Sequence, residues 1–319
     1  METVLQVILL IVGFVLLIKG ADFFVDGASS TASNFRVPKI LIGLTIVAFG
    51  TSAPELAVSF SSLAEGSTDM VLGNVIGSNI INILLILGLA AVIKPIRIRK
   101  ETIRKEIPIA ILISSLLVVL FLDVQLSAGS INQITRSDGI AILLFFAVFL
   151  YYLISMACRE RGKKEVEKPK WKILPSLGIT IIGLAGIVLG SNLVVDSAVN
   201  IAHTVGISER LISLTIIALG TSLPELVTTV VSARKGETDL VIGNILGSNI
   251  FNICIVLGVP VAILGTITPE SFKMLDLVML VTSAILLYIF SATEHKITKR
   301  EGIMLLTLFV LYYTSIFII

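Results

Sequence analysis

Leu44-Thr45-Ile46-Val47-Ala48-Phe49-Gly50-Thr51-Ser52-Ala53-Pro54-Glu55-Leu56 returns 170 residues later as Leu214-Thr215-Ile216-Ile217-Ala218-Leu219-Gly220-Thr221-Ser222-Leu223-Pro224-Glu225-Leu226. The match runs on without a gap, and residues 44–88 and 214–258 are identical at 25 of 45 positions. Gly73-Asn74, Gly77-Ser78-Asn79-Ile80 and Asn82 recur as Gly243-Asn244, Gly247-Ser248-Asn249-Ile250 and Asn252, and upstream Gly20 and Asp26 match Gly190 and Asp196. Shared hydrophobicity does not reproduce Thr, Ser, Asn, Pro and Glu in register. The chain is therefore an internal duplication, and what it duplicates is polar and helix-breaking.

The setting of those segments is apolar. The 319 residues are 55% hydrophobic and 14% charged, with a mean hydropathy of +1.02, where soluble domains carry roughly 25% charge. Stretches near the length that crosses a hydrocarbon core fall at about 4–28, 40–64, 70–93, 106–123, 138–157, 172–198, 210–233, 240–263, 274–292 and 302–318. The expected fold is thus an all-α polytopic membrane protein of ten transmembrane helices. The first stretch lacks a basic leader and a clean cleavage site, and is expected to stay as a helix. Five spans per copy is an odd number, so the second copy enters the membrane from the opposite side. The expected units are a first repeat at 1–157, a cytoplasmic linker at 158–171 and an inverted second repeat at 172–319, the usual plan of secondary transporters.

Charge placement orients the chain. With the N-terminus outside, cytoplasmic connections hold 20 of the 24 Lys and Arg residues, external ones hold only Arg136, Arg210 and Lys273, and Lys19 lies inside the first span. The positive-inside rule then puts both termini outside the cell membrane. Two cysteines and two histidines, scattered along the chain, give no support for a disulfide framework or a zinc site.

Pro54 and Pro224 sit inside apolar spans. Each lacks the N–H that would bond the carbonyl four residues back, Gly50 or Gly220, so spans two and seven are expected to be broken. Freed carbonyls at membrane depth must line a cavity or be buried in protein. Glu55 and Glu225 lie about mid-span, where an ionised side chain costs roughly 2.5 to 3.5 kcal/mol. No Lys or Arg lies at comparable depth, so a cation or a proton is the expected counter-charge. Thr51 and Glu55, four apart, are expected on one helix face, and Thr221 and Glu225 likewise. Asn74, Ser78 and Asn82 form a polar stripe mirrored by Asn244, Ser248 and Asn252. Ser78, Asn82, Ser248 and Asn252 are expected to offer oxygens to an ion; for Asn74 and Asn244 helix packing and site support are equally good readings. The glycines between them suit close helix packing. Two carboxylates neutralise one calcium or two sodium ions, and a set of neutral oxygens suits calcium's 6 to 8 ligands better than magnesium's tight octahedron. Asp26 and Asp196, near span ends, are expected to cap helices or bond between them at water level.

The paired G-T-S-x-P-E and G-N-x-x-G-S-N-x-x-N segments resemble the two alpha-repeats of the sodium/calcium exchanger branch of the calcium/cation antiporter superfamily, in its compact prokaryotic form. The resemblance implies that Thr51, Ser52, Glu55, Thr221, Ser222 and Glu225 are ligands, that Ala48 and Ala218 contribute carbonyls, and that spans one and six move as a gate. It also implies transported Ca2+ and Na+ with no cofactor, and no protein partner beyond the bilayer. Part of the family has Asp where this chain has Asn252, which argues against potassium co-transport. Calcium/proton exchangers tend to carry a further Glu after the G-N pair, absent here.

The expected function is exchange of calcium for sodium by alternating access. Calcium/proton antiport is the rival, with carboxylates taking protons in place of sodium. A passive cation channel would not need an inverted repeat with broken helices. Enzyme chemistry has no support: neither an H-E-x-x-H motif nor a suitable pair of membrane aspartates is present.

Overall fold

A computed structural model of the chain describes residues 2–126, 131–160, 168–204, 218–269 and 273–318. It is helical almost throughout. In chain order the helices are α1 (Glu2–Phe35), α2 (Lys39–Thr51), α3 (Ala53–Ala64), α4 (Thr68–Ile93), α5 (Lys100–Arg104), α6 (Glu106–Phe121), α7 (Asp123–Leu126), α8 (Arg136–Glu160), α9 (Ile173–Thr204), α10 (Ala218–Gly220), α11 (Leu223–Lys235), α12 (Thr238–Leu264), α13 (Met274–Glu294) and α14 (Lys299–Ile318). Among the described residues six are long and apolar enough to cross a membrane, and the bent pair α2–α3 makes a seventh. Of the other three expected spans, α6 has only 16 residues, α14 is a 20-residue helix not counted among the six, and the first part of the stretch 210–233 lies outside the described residues, as do Arg210 and positions 161–167 of the linker.

Polarity is arranged inside out relative to a soluble domain. Large apolar side chains such as Val4, Ile11, Leu144, Val148, Ile181 and Val310 are exposed, while Thr51, Glu55, Ser78, Asn82, Ser222, Glu225, Ser248 and Asn252 are buried. A hydrocarbon solvent would accept that surface.

Connections gather at two ends. At one, strands β1 (Ile96–Arg97) and β2 (Lys296–Ile297) pair antiparallel, Lys39 pairs with Glu237 at 2.9 Å, Arg99 pairs with Asp239, and Lys235 reaches Asp26 at 2.6 Å. At the other, the Thr68 hydroxyl donates to the Thr268 carbonyl at 3.2 Å, and Ile134 and Ile267 exchange backbone hydrogen bonds at 2.9 Å. The described connections of the first group (after α1, α4, α8, α11 and α13) and the second (after α3, α7 and α12) do not mix. The first group is the lysine- and arginine-rich one.

The longest helices, α1 with 34 residues and α9 with 32, lie against each other along their length. Glycine makes that closeness possible: a methyl added at Gly183 would lie 2.3 Å from the Phe24 nitrogen, and one at Gly190 would lie 2.5 Å from the Leu17 nitrogen. In the core, α12 meets α2 through Gly243, whose added methyl would be 2.8 Å from the Gly43 Cα. Small residues here serve packing as expected. Added methyls at the matching Gly73 and Gly77 meet no described atom within 4 Å.

Among the described residues three wide π-turns interrupt the helices, at Gly43–Val47 in α2, Asn82–Leu87 in α4 and Asn252–Leu257 in α12. The last two are the same residues of the two copies. Each starts on an Asn of the polar stripe, the kind of place where π-turns tend to occur.

Candidate cation site

Four segments meet at the centre: the α2–α3 break, the stripe of α4, the α10–α11 break and the stripe of α12. The α2–α3 break falls at Ser52 (φ −87°, ψ 7°), with Pro54 in the first turn of α3 and a bend of 45°. The second falls at Ser222 (φ −89°, ψ 6°), again with Pro in the first turn. Proline at that position forfeits no helical bond, because N-terminal N–H groups are unpaired in any case. The carbonyl that Pro224 frees, at Gly220, accepts a hydrogen bond from the Ser191 hydroxyl of α9 at 3.3 Å.

The serines at the breaks cross over. Ser52 donates to Glu225 Oε1 at 2.8 Å, and Ser222 lies 3.4 Å from Glu55 Oε1 and 3.3 Å from the Ser78 hydroxyl. Ser248 also donates to Glu225 Oε1, at 3.4 Å. Each carboxylate is thus served by the opposite copy. These bonds join Glu55, Glu225, Ser52, Ser78, Ser222 and Ser248 in one buried polar centre, and Asn82 and Asn252, also buried, lie one turn beyond Ser78 and Ser248 on the same helices.

Thr51 departs from its expected arrangement. The break lies between it and Glu55; its hydroxyl bonds back to the Val47 carbonyl at 3.1 Å and across to Asn244 Oδ1 at 3.1 Å, and it also meets the Glu225 carboxylate. Four-residue spacing aligns side chains only in an unbroken helix. The Ala48 carbonyl accepts the Ser52 N–H at 3.0 Å and lies 3.3 Å from the Thr51 hydroxyl. Ala218 opens the short helix α10. Asn74 and Asn244 brace the helices: Asn74 donates to the Glu55 carbonyl and to Ser59, both at 3.0 Å, and Asn244 donates to Thr229 at 3.0 Å.

Five oxygens at or beside this centre are buried with no hydrogen-bond partner: Glu55 Oε2, Glu225 Oε2, Asn82 Oδ1, Asn252 Oδ1 and Thr221 Oγ1. Buried acceptors left without donors cost roughly 1 to 3 kcal/mol each, more when charged. The described ion pairs involve neither Glu55 nor Glu225. Such a donor set fits a hard cation that accepts oxygen ligands.

Asp26 does not cap a helix, since α1 continues to Phe35; it pairs with Lys235 on α11 and with Lys170 at 2.8 Å. Sequence reasoning also missed a pair of carboxyl–tyrosine contacts. Glu106 at the start of α6 bonds Tyr152 of α8, and Asp276, 170 positions on at the start of α13, bonds Tyr312 of α14 at 2.7 Å. The carboxylates follow the repeat register, which was the available signal.

An apolar-faced helical body enclosing carboxylates without basic partners is the build of a membrane ion transporter. The sequence pattern of the sodium/calcium exchanger protein family matches residues 5–155 and 175–318, and the chain belongs to that family, as a prokaryotic-type member. It is 31% identical to the sodium/calcium exchanger MaX1 of Methanosarcina acetivorans, over 98% of both chains. It is also 36% identical to the inner membrane protein YrbG of Escherichia coli, over 97% of this chain and 96% of that one. The solved structure of the sodium-calcium exchanger NCX_Mj soaked with sodium superposes with a TM-score of 0.85 at 33% identity, covering 98% of this chain and 99% of that one. The protein is therefore a cation-exchanging antiporter and not an enzyme.

Proposed function

We propose that the chain exchanges calcium for sodium across the cell membrane by alternating access, with Glu55 and Glu225 sharing one calcium ion or releasing it to sodium. The observation that carries this reading is the set of partnerless buried oxygens, two of them carboxylate, gathered where the two copies exchange serine hydroxyls. Ser52, Ser78, Ser222, Ser248, Asn82 and Asn252 complete the coordination, with Thr221 and, once it turns from its helix, Thr51. The Ala48 and Ala218 carbonyls are further candidates. Two carboxylates match a divalent ion and also two monovalent ones, so both cargoes compete for the same charge.

The architecture in this reading is ten spans in two inverted five-helix repeats, 1–157 and 172–319, joined by the linker 158–171. Support comes from connections that sort into two ends in alternation along the chain. The lysine-rich end is cytoplasmic and both termini lie outside. The α1–α9 pair, held to itself by glycine contacts, moves as one body against the rest.

Calcium uptake into proteoliposomes under imposed gradients tests the function. An outward sodium gradient is expected to drive it. Uptake that follows a pH gradient and ignores sodium would replace this reading with calcium/proton antiport, and uptake needing no counter-ion would mean a channel.

A further inference from the structure

Asn79 and Asn249 occupy the same register position in the two copies, one turn before the π-turns, and both are buried. The Asn79 amide donates to the Asn249 backbone carbonyl at 3.2 Å, and the Asn249 amide donates to the Asn79 carbonyl at 3.3 Å. A carbonyl can only accept, so neither side chain is free to flip: each must keep its NH2 on that bond and its Oδ1 turned away. Those oxygens are taken in turn. Asn249 Oδ1 accepts from Asn82 Nδ2 at 2.9 Å, and Asn79 Oδ1 accepts from Asn252 Nδ2 at 3.2 Å.

The chain of constraint ends at two partnerless oxygens. With their NH2 groups held, Asn82 and Asn252 have only their Oδ1 atoms left, and these are the buried oxygens without partners. They lie one helical turn beyond Ser78 and Ser248, whose hydroxyls reach Ser222 and Glu225. An amide serves a cation in one orientation and repels it in the other, whereas a carboxylate presents an oxygen either way.

We propose that Asn79 and Asn249 are positioning residues for the transported cation, locking the Asn82 and Asn252 amides so that oxygen faces the site. The proposal rests on the cation-site reading above. It makes the neutral Asn252 a competent ligand only because Asn79 holds it.

The test is a pair of mutant cycles read by exchange of labelled for unlabelled calcium in proteoliposomes, which needs no assumption about the coupling ion. Asn79→Ala is expected to raise the calcium KM about tenfold, the effect of losing one well-placed bond to a charge, with a smaller change in maximal rate. In an Asn252→Asp background the same substitution is expected to change KM less than about twofold, because a carboxylate needs no orienting. Asn249→Ala tested with and without Asn82→Asp gives the mirror cycle. Equal KM increases in both backgrounds, or no increase in either, overturn the proposal. If neither alanine variant assembles in the membrane, the amides belong to the fold and the proposal is likewise overturned. Glu55→Gln run alongside separates the two levels: exchange that survives it removes the site itself, while its loss together with a failed cycle removes only the positioning role.

Discussion

Ser52 donates to the Glu225 carboxylate across 2.8 Å, while its counterpart Ser222 stands 3.4 Å from Glu55 and shares its hydroxyl with Ser78. The two copies are alike in sequence yet unequal in grip. A hydrogen bond to a charged group contributes roughly 1.5 to 3 kcal/mol, and the shorter, undivided bond contributes more. Ser52→Ala is therefore expected to weaken calcium exchange about 10-fold or more, and Ser222→Ala less. Calcium KM values of the two variants decide it; a larger loss in Ser222→Ala would contradict the ranking.

Removing either carboxylate should be more damaging. Glu55 and Glu225 together offset the charge of one divalent ion, and a glutamine keeps the shape while halving that charge. In a buried setting the unbalanced positive charge costs several kcal/mol. Glu55→Gln and Glu225→Gln are each expected to reduce calcium flux by at least about a hundredfold. Near-normal exchange by either variant would remove that residue from the site.

Much of this was legible in the sequence because duplication repeats polar residues in register, and membrane helices leave few ways to bury them. Pro54, Pro224 and the two glutamates identified the breaks and the charge without any structure. What stayed hidden depends on which helix faces which. The reciprocal bonds of Asn79 and Asn249 join residues 170 apart, and no local spacing predicts them. Thr51 shows the opposite limit: the four-residue spacing that would pair it with Glu55 holds only in an unbroken helix, and the break at Ser52 intervenes. The heptad of Gly13, Gly20 and Gly27 was present in the letters, but only the packed α1–α9 pair, where they meet Gly190, Gly183 and Thr180, shows why it matters.

That pair offers a stability test. An added methyl at Gly183 would meet Phe24 backbone, which cannot swing away as a side chain can, whereas one at Gly178 on the same helix meets no described atom within 4 Å. Overpacking of this kind costs typically 1 to 3 kcal/mol. Gly183→Ala is expected to lower the unfolding temperature in detergent by several degrees, about 2 to 4 °C per kcal/mol, with Gly178→Ala near wild type. Equal temperatures for the two variants would mean that α1 and α9 are not in this contact.

The lysine-rich end is fastened by ion pairs on Asp26. Asp26 of α1 pairs with Lys235 of α11 at 2.6 Å and with Lys170 at 2.8 Å. At the 170-residue offset the Asp26 and Lys235 positions become Asp196 and Glu65, two acids, so the repeat does not carry this charge pairing to the other end. In the alternating-access reading proposed above, these pairs favour a closed lysine-rich end. Each pair is partly exposed, so its contribution is about 0 to 1 kcal/mol and falls with salt, yet 1 kcal/mol already shifts a two-state population about fivefold. Asp26→Asn is expected to open the lysine-rich end, lowering the calcium KM measured from that side a few-fold and raising it from the other. The double exchange Asp26→Lys with Lys235→Asp should restore part of the difference, while raised salt should move the wild-type protein toward the Asp26→Asn behaviour. Sided KM values from oriented proteoliposomes give the answer, and identical values for wild type and Asp26→Asn on both sides would show that these ion pairs do not bias the gate.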